Sequence, residues 1–213
     1  MKKVFFAISL LCMGLSAFAQ SPFTCTTQGA KLRYMNTDRN GKEVTQSEIE
    51  VTKVEKSGES YSITQVTTIF FNGKKFMKPV EIKATVRDGD VLMDMGGNLS
   101  GSVEGAGYAL PKRLAVGLEL PTGEAKVKAG NINMTQNTTF HKVVAREEVT
   151  VPAGTYDCYV VERQYTAEMA GMTVKSTIKT WYARGVGTVK SETYGEDGTL
   201  SSGSHLLELT LPK

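Results

Sequence analysis

Glu148-Val149-Thr150-Val151-Pro152-Ala153-Gly154-Thr155-Tyr156-Asp157-Cys158-Tyr159-Val160-Val161 reads as two β-strands folded back on each other. Pro152 presets φ near −65° at the first turn position, and Gly154 can take the left-handed conformation. The pair predicts a three-residue hairpin with a bulge. Val149, Val151, Tyr159, Val160 and Val161 are side chains that pack well on a pleated surface. The stretch therefore decides for an antiparallel β fold, and it carries no chemistry of its own.

The same alternation runs outward in both directions. Upstream, Leu32 and Tyr34 alternate with Lys31 and Arg33 before the turn Asp38-Arg39-Asn40-Gly41. Tyr61 to Phe71 is rich in β-branched and aromatic residues and ends at Asn72-Gly73, the favoured pair of a two-residue hairpin. Val80, Ile82, Ala84 and Val86 alternate without a break against Glu81, Lys83, Thr85 and Arg87, as a half-buried strand does. Asp88-Gly89 turns the chain into Val91, Met93 and Met95. Residues 96–121 are glycine-rich and read as a loop, either mobile or functional, with one helical turn possible at Pro111–Val116, and as the best place to look for a lid. Strands resume at Glu124–Ala129 and continue through Ile132–His141, Val143–Val151, Thr155–Tyr165, Met172–Tyr182, Val186–Tyr194 and Leu200–Leu211. Met172, Val174, Ile178 and Tyr182 share one face of their strand, against Thr173, Lys175, Lys179 and Trp181. The expectation is a mainly β protein: one antiparallel meander curled into a half-barrel or barrel-like sheet, with little or no helix.

The first 19 residues stand apart. Lys2 and Lys3, the apolar run Val4–Leu15 and the small residues Ala17-Phe18-Ala19 predict a secretory signal peptide cleaved after Ala19, too short to span a membrane. Ser9-Leu10-Leu11 lacks the small residue expected before a lipidated cysteine at Cys12. The remaining residues, 20–213, are read as a single β domain, periplasmic or secreted. Without Lys2 and Lys3 the charge falls from +3 to +1, with 23 basic against 22 acidic residues. Such a balance gives no reason to invoke nucleic acid. No later stretch is apolar enough for a transmembrane segment. Cys25 and Cys158 are the only other cysteines, and an even pair in an exported chain predicts a disulfide, with two free or buried thiols as the alternative. A loop that long would add roughly 4–5 kcal/mol in the chain-entropy account.

Two blocks carry a family resemblance. Thr150-Val151-Pro152-Ala153-Gly154-Thr155-Tyr156-Asp157-Cys158-Tyr159 and Trp181-Tyr182-Ala183-Arg184-Gly185-Val186-Gly187-Thr188-Val189-Lys190-Ser191-Glu192 resemble the signature blocks of the TapB-like family, domain of unknown function 3108, in exported bacterial proteins. Asp88-Gly89-Asp90-Val91-Leu92-Met93-Asp94-Met95 and Leu110-Pro111-Lys112-Arg113-Leu114 are similar to weaker blocks. The resemblance implies an antiparallel fold akin to YmcC-like half-barrels, and it implies no activity or catalytic residue. Read from the residues alone, Gly185 and Gly187 permit a bulge between strands.

Candidate chemistry is sparse. Asp88, Asp90 and Asp94 lack the ligand spacing of a calcium loop and read as turn and solvent-facing strand positions. His141 and His205 are far apart in sequence and read as surface or strand residues rather than zinc ligands. No serine occupies a nucleophile elbow, and no glycine run is followed by the residues of a phosphate loop. Glu147, Glu148, Glu162 and Arg163 lie near the central hairpin, where a carboxylate pair would suit glycoside cleavage but exposed strand charge is the commoner cause. Trp181, Tyr182 and Tyr194 fit a core better than an aromatic platform for sugar. Asn98, Asn133 and Asn137 begin glycosylation sequons. No catalytic, cofactor or metal residue is assigned. The expected function is a non-catalytic envelope domain binding an apolar or glycan ligand, a lipid or a protein partner. A hydrolase of envelope sugar or lipid and a structural subunit of a surface assembly are the alternatives.

Overall fold

The computed structural model describes residues 21–213 apart from 59, 95–100, 106–107, 130–131 and 170. The leader expected at 1–19 and the sequon asparagine Asn98 lie outside the described residues. Among the described residues every element is a strand: β1 Lys31–Asp38, β2 Glu43–Ser57, β3 Ser60–Phe71, β4 Lys74–Lys75, β5 Val80–Arg87, β6 Asp90–Asp94 and β7 Gly101–Gly105. There follow β8 Tyr108–Leu110, β9 Gly123–Ala129, β10 Ile132–Val151, β11 Gly154–Met169, β12 Met172–Ala183, β13 Gly187–Gly195 and β14 Leu200–Thr210. They form one antiparallel sheet in the order β7-β9-β10-β11-β12-β13-β14-β1-β2-β3-β5-β6-β8, with β4 paired to β3. The two edge strands do not pair with each other, so the sheet is open and half-barrel-like.

The centre of this order differs from a simple meander. β1 pairs with β14, so the two ends of the chain meet in the middle of the sheet. The turn chemistry behaves as the residues dictate at Asn72-Gly73, where φ is +48° and +72° and Phe71 lies opposite Lys74. At Pro152-Ala153 the connection has two residues rather than three. Val151 faces Gly154 directly, and Gly154 opens β11 at φ +135°. The Ala153 N–H donates to the Leu206 carbonyl at 3.4 Å, which brings the hairpin tip round to β14.

Register shifts at Thr138/Phe140 and Val143/Ala145 bend the long β10–β11 hairpin, as bulges do. Two cores lie on opposite faces of β11. The larger holds Leu32, Tyr34, Val51, Ile63, Val143, Val161 and Leu206, with Tyr159 and Tyr182 packed against it. The smaller holds Cys158, Val160, Trp181, Ala183 and Val189, with Ala145, Val149 and Tyr156 against it. Both follow from strict alternation along Cys158-Tyr159-Val160-Val161.

The structure does not support the expected disulfide, and the same alternation gives the reason. Cys25 belongs to the larger core, on the side where the Phe23 ring meets Tyr159 edge-on at 5.8 Å. Cys158 points to the opposite face. A bridge would have to pass through the sheet, and both cysteines are free buried thiols. Burial pushes the Cys25 thiol up and the Cys158 thiol up to about 12, so neither is poised to react.

The larger core is stoppered at one end by two irregular segments. Phe23, Cys25 and Ala30 come from the stretch before β1, and Leu114 and Leu120 come from the stretch after β8. The helical turn expected at Pro111–Val116 does not form. Instead the chain runs alongside β10, with Gly117 N–H to Val143 O at 2.8 Å, Leu120 N–H to His141 O at 2.8 Å and Val143 N–H to Leu118 O at 2.9 Å. Those bonds satisfy the exposed rim of β10, and the buried leucines fix the segment as a plug rather than a lid. Within the expected loop 96–121, β7 and β8 are also strands.

Arg184 ties both stoppers to the β12–β13 turn. Its guanidinium donates to Ser21 O at 2.9 Å and Lys112 O at 2.8 Å, and it stacks over the Phe23 ring at 4.4 Å. The Gly185 N–H donates to Pro22 O at 2.8 Å. At Gly187, φ +98°, an added Cβ would lie 3.5 Å from the Thr24 backbone. Gly185 is a turn residue and Gly187 opens β13, a register shift between Trp181 and Tyr182 puts a bulge beside them, and both glycines let the N-terminal segment approach.

Candidate functional site

The inner face of the sheet does not stay apolar along the strands. Above Leu206 on β14 the same face presents Ser204 and Ser202, and above Tyr34 on β1 it presents Asn36 and Asp38. Register extends this change sideways. Thr180 lies opposite Ser191, Ser191 opposite Ser204, Ser204 opposite Asn36, and Asn36 opposite Thr45. One row of five hydroxyl and amide side chains therefore crosses β12, β13, β14, β1 and β2. At the usual strand spacing it spans roughly 19 Å. The Asn36 amide donates to Thr45 Oγ1 at 3.1 Å and Ser47 Oγ at 3.4 Å, and the hydroxyls of Thr180 and Ser191 lie 3.5 Å apart.

A groove of about 430 Å³ opens over this row, lined by Asn36, Thr45, Ser191, Thr193, Ser202 and Ser204 among others. Its size falls within the range of small-molecule sites. Among the described residues Asp38 is the one carboxylate on its rim, and Asp38 Oδ1 already accepts the Asn40 and Lys42 N–H groups at 2.9 and 3.0 Å. The groove can offer neutral donors and acceptors to a ligand. It does not present paired acids.

The residues weighed in the sequence lie elsewhere. Glu147 accepts the Trp181 Nε1–H at 2.6 Å, and Lys190 sits over the Trp181 ring at 4.5 Å. Trp181 is 6% exposed and belongs to the smaller core, not to an open platform. Tyr182 packs against the larger core. Glu162 pairs with Lys179 at 3.7 Å, Glu192 pairs with Lys190 at 2.7 Å, and Tyr194 donates to Glu192. Burial would raise the Glu192 carboxyl, but the bonds from Lys190 and Tyr194 outweigh it and hold it below its usual range. Glu148 lies opposite Asp157, and Arg163 opposite His141. Glu162 and Glu192 are matched by lysines, whereas Glu148 faces a like charge in Asp157, which pairs with Arg146.

His141 is buried at 5% exposure rather than on the surface, its Nδ1 2.9 Å from Pro121 O, and desolvation lowers its pKa. His205 is on β14, opposite Lys190. Asp88 is a turn residue at φ +52°, and Asp90 Oδ1 accepts the Lys112 N–H at 2.6 Å. Among the described residues no three His, Cys, Asp or Glu side chains converge as metal ligands. Also among the described residues, no helix is long and apolar enough to cross a membrane. Asn137 is exposed on β10, and Asn133 lies near its start.

The groove itself escaped the reading of the sequence. Ser191, Thr193, Ser202, Ser204, Asn36 and Thr45 look like ordinary solvent-facing strand residues one strand at a time. Their juxtaposition depends on β1 pairing with β14, and no local pattern signals that.

The chain belongs to the DUF3108-like family, whose model matches residues 27–206. No curated protein matches it. Among solved structures it is similar to a presumed exported protein with YmcC-like fold from Bacteroides fragilis. That pair shares 19% identity and a TM-score of 0.77 over 89% of this chain and 99% of that one. It is also similar to a presumed lipoprotein from Parabacteroides distasonis, at 18% identity and a TM-score of 0.79, again over 89% of this chain and 99% of that one. The likeness establishes the fold as the YmcC-like half-barrel.

Proposed function

We propose that the protein is an extracytoplasmic, non-catalytic binding domain whose ligand is an uncharged, hydroxyl-rich molecule of the glycan class. The observation that carries this is the row Ser191, Ser204, Asn36 and Thr45, which lines an open groove and is continued by Thr180 on β12. Neutral hydroxyls and amides recognise neutral hydroxyls by exchanging donors and acceptors, at little desolvation cost compared with charges. An apolar ligand is disfavoured because the apolar half of the concavity is filled by Phe23, Leu114 and Leu120. Placement outside the cytoplasm is supported by the leader-like residues 1–19 and by the export and lipoprotein descriptions of the two similar structures. Residues 20–213 are the proposed mature domain.

The test is amide-resolved NMR of the mature protein titrated with soluble fragments of envelope glycans. Shifts confined to Asn36, Thr45, Ser191 and Ser204 and their neighbours are expected. Failure of every fragment to shift these amides, or shifts mapping to another surface, would refute the reading.

A further inference from the structure

The β3–β4 hairpin tip carries three of the exposed large apolar side chains among the described residues. Phe70-Phe71-Asn72-Gly73-Lys74-Lys75-Phe76-Met77-Lys78-Pro79 holds three lysines and no acid. Its large apolar side chains point outward: Phe71 is 47% exposed, Phe76 68% and Met77 46%. Single exposed apolar residues are ordinary, but three within seven positions, at the end of a finger, are not. The finger is held in shape. Asn72 and Gly73 form the tight turn, Phe71 lies opposite Lys74, and the Phe76 N–H donates to Ile69 O at 2.9 Å. The Phe71 and Phe76 rings lie 6.2 Å apart, so they present one apolar point. Lys74, Lys75 and Lys78 surround the point, all exposed, and among the described residues no ion pair is recorded for them.

We infer that this hairpin tip docks the protein on an anionic lipid bilayer. The combination fits a lipid surface better than a folded partner. A two-residue strand and a turn offer far less area than a stable protein interface buries, whereas aromatic side chains settle at the bilayer interface without a matching pocket. Lysines around them are drawn to a negatively charged leaflet, an attraction that falls away within a Debye length and with added salt. Phe71, Phe76 and Met77 would enter the headgroup layer and Lys74, Lys75 and Lys78 would meet lipid phosphates. The inference is independent of the groove, whose lining includes none of Phe71, Phe76, Met77, Lys74, Lys75 and Lys78.

The experiment uses the mature chain and vesicles of phosphatidylglycerol with phosphatidylcholine, compared with phosphatidylcholine alone. Co-sedimentation is expected with the anionic vesicles at low salt and should weaken as salt rises. Replacing the three lysines by Gln is expected to lower partitioning on the order of a hundredfold, from about 1 kcal/mol per lysine. Phe71→Ser with Phe76→Ser should abolish it, while Val116→Ser, at an exposed apolar residue outside the finger, and Ser204→Val, in the groove, should leave it unchanged. In Phe76→Trp, the emission over and above that of Trp181 should shift to the blue when anionic vesicles are added. Equal sedimentation with neutral vesicles, or no shift in the emission of the introduced indole, would overturn the inference. So would a dimer in solution that Phe76→Ser dissolves, since the tip would then be an interface between copies.

Discussion

Along β14 and β1 the inner face changes character within one step of the alternation. Leu206 and Tyr34 sit in the larger core, at 0% and 6% exposure, while Ser204 and Asn36, one pleat further on, line an open groove. The backbone is the same at both places: paired, antiparallel, with side chains on the same side. What differs is cover. Below, the segments before β1 and after β8 lie over the face and demand apolar side chains. Above, nothing in the described chain covers it, and hydroxyls replace leucines. Strand period therefore builds a surface, and the stopper decides which part of that surface is core.

The largest effect that would sharpen this comparison is at Leu206. Leu206→Ala should destabilise the protein by about 2–5 kcal/mol, because its neighbours come from several strands and cannot all collapse into the space. Urea unfolding of the variant measures it. A loss under about 1 kcal/mol would mean that the lower face is loosely filled and that the contrast with Ser204 is false.

Next comes the tie that holds the stoppers. Arg184→Ala removes two bonds from a charged donor to carbonyls and a stacking contact with Phe23, and should cost about 2–3 kcal/mol. Arg184→Lys should recover only part, since a single ammonium cannot reach two carbonyls in the same fork. Hydrogen exchange should show where the loss falls, at Gly117, Leu120 and Val143, whose N–H groups bond between the stopper and β10. Unchanged protection there would separate Arg184 from the stopper.

Much of this was legible in the residues, and what was not has a common cause. Alternation at Val80–Val86 and Met172–Tyr182, and the turns at Asn72-Gly73 and Asp88-Gly89, are local, and the strands form where they point. β1 and β14 are separated by most of the chain, so their pairing leaves no local mark, and the groove between them is equally silent. Cys25 and Cys158 show the same limit. Their number suits a disulfide, but only the facing of Cys158 relative to Tyr159 reveals that a sheet lies between them. Leu114 and Leu120 looked like parts of a glycine-rich loop because their burial depends on a core assembled elsewhere.

The thiols give the third prediction. Without reductant, the native mature chain should resist a thiol reagent, and the denatured chain should react at both Cys25 and Cys158. The pH dependence follows from Cys158. Burial first, then the charges of Asp157 and Glu147, push its pKa from an ordinary 9.0 up to about 12. Above pH 9 the unfolded chain releases a proton that the folded chain keeps, so this contribution is intact below pH 9 and declines as pH rises toward 12. Other groups titrate there too. The measurement is therefore the stability difference between wild type and Cys158→Ala, which should shrink over that window. A constant difference would place the thiol in contact with water.

The smallest effect on stability tests the upper half of the comparison most directly. Ser204→Val adds a β-branched side chain to a central strand and removes a hydroxyl that makes no side-chain hydrogen bond among the described residues. Its stability should change by no more than about 0.5 kcal/mol. Its effect on binding should be large, because the valine methyl groups would occupy the middle of the row between Ser191 and Asn36 and leave a ligand hydroxyl unpaired. Glycan titration of a fully folded Ser204→Val protein separates the two roles. If stability fell as it does at Leu206, Ser204 would be part of the core and the groove would be a seam in packing. If stability held and glycan shifts at Asn36 and Thr45 vanished, the hydroxyl row would be the part of the inner face kept open for a ligand.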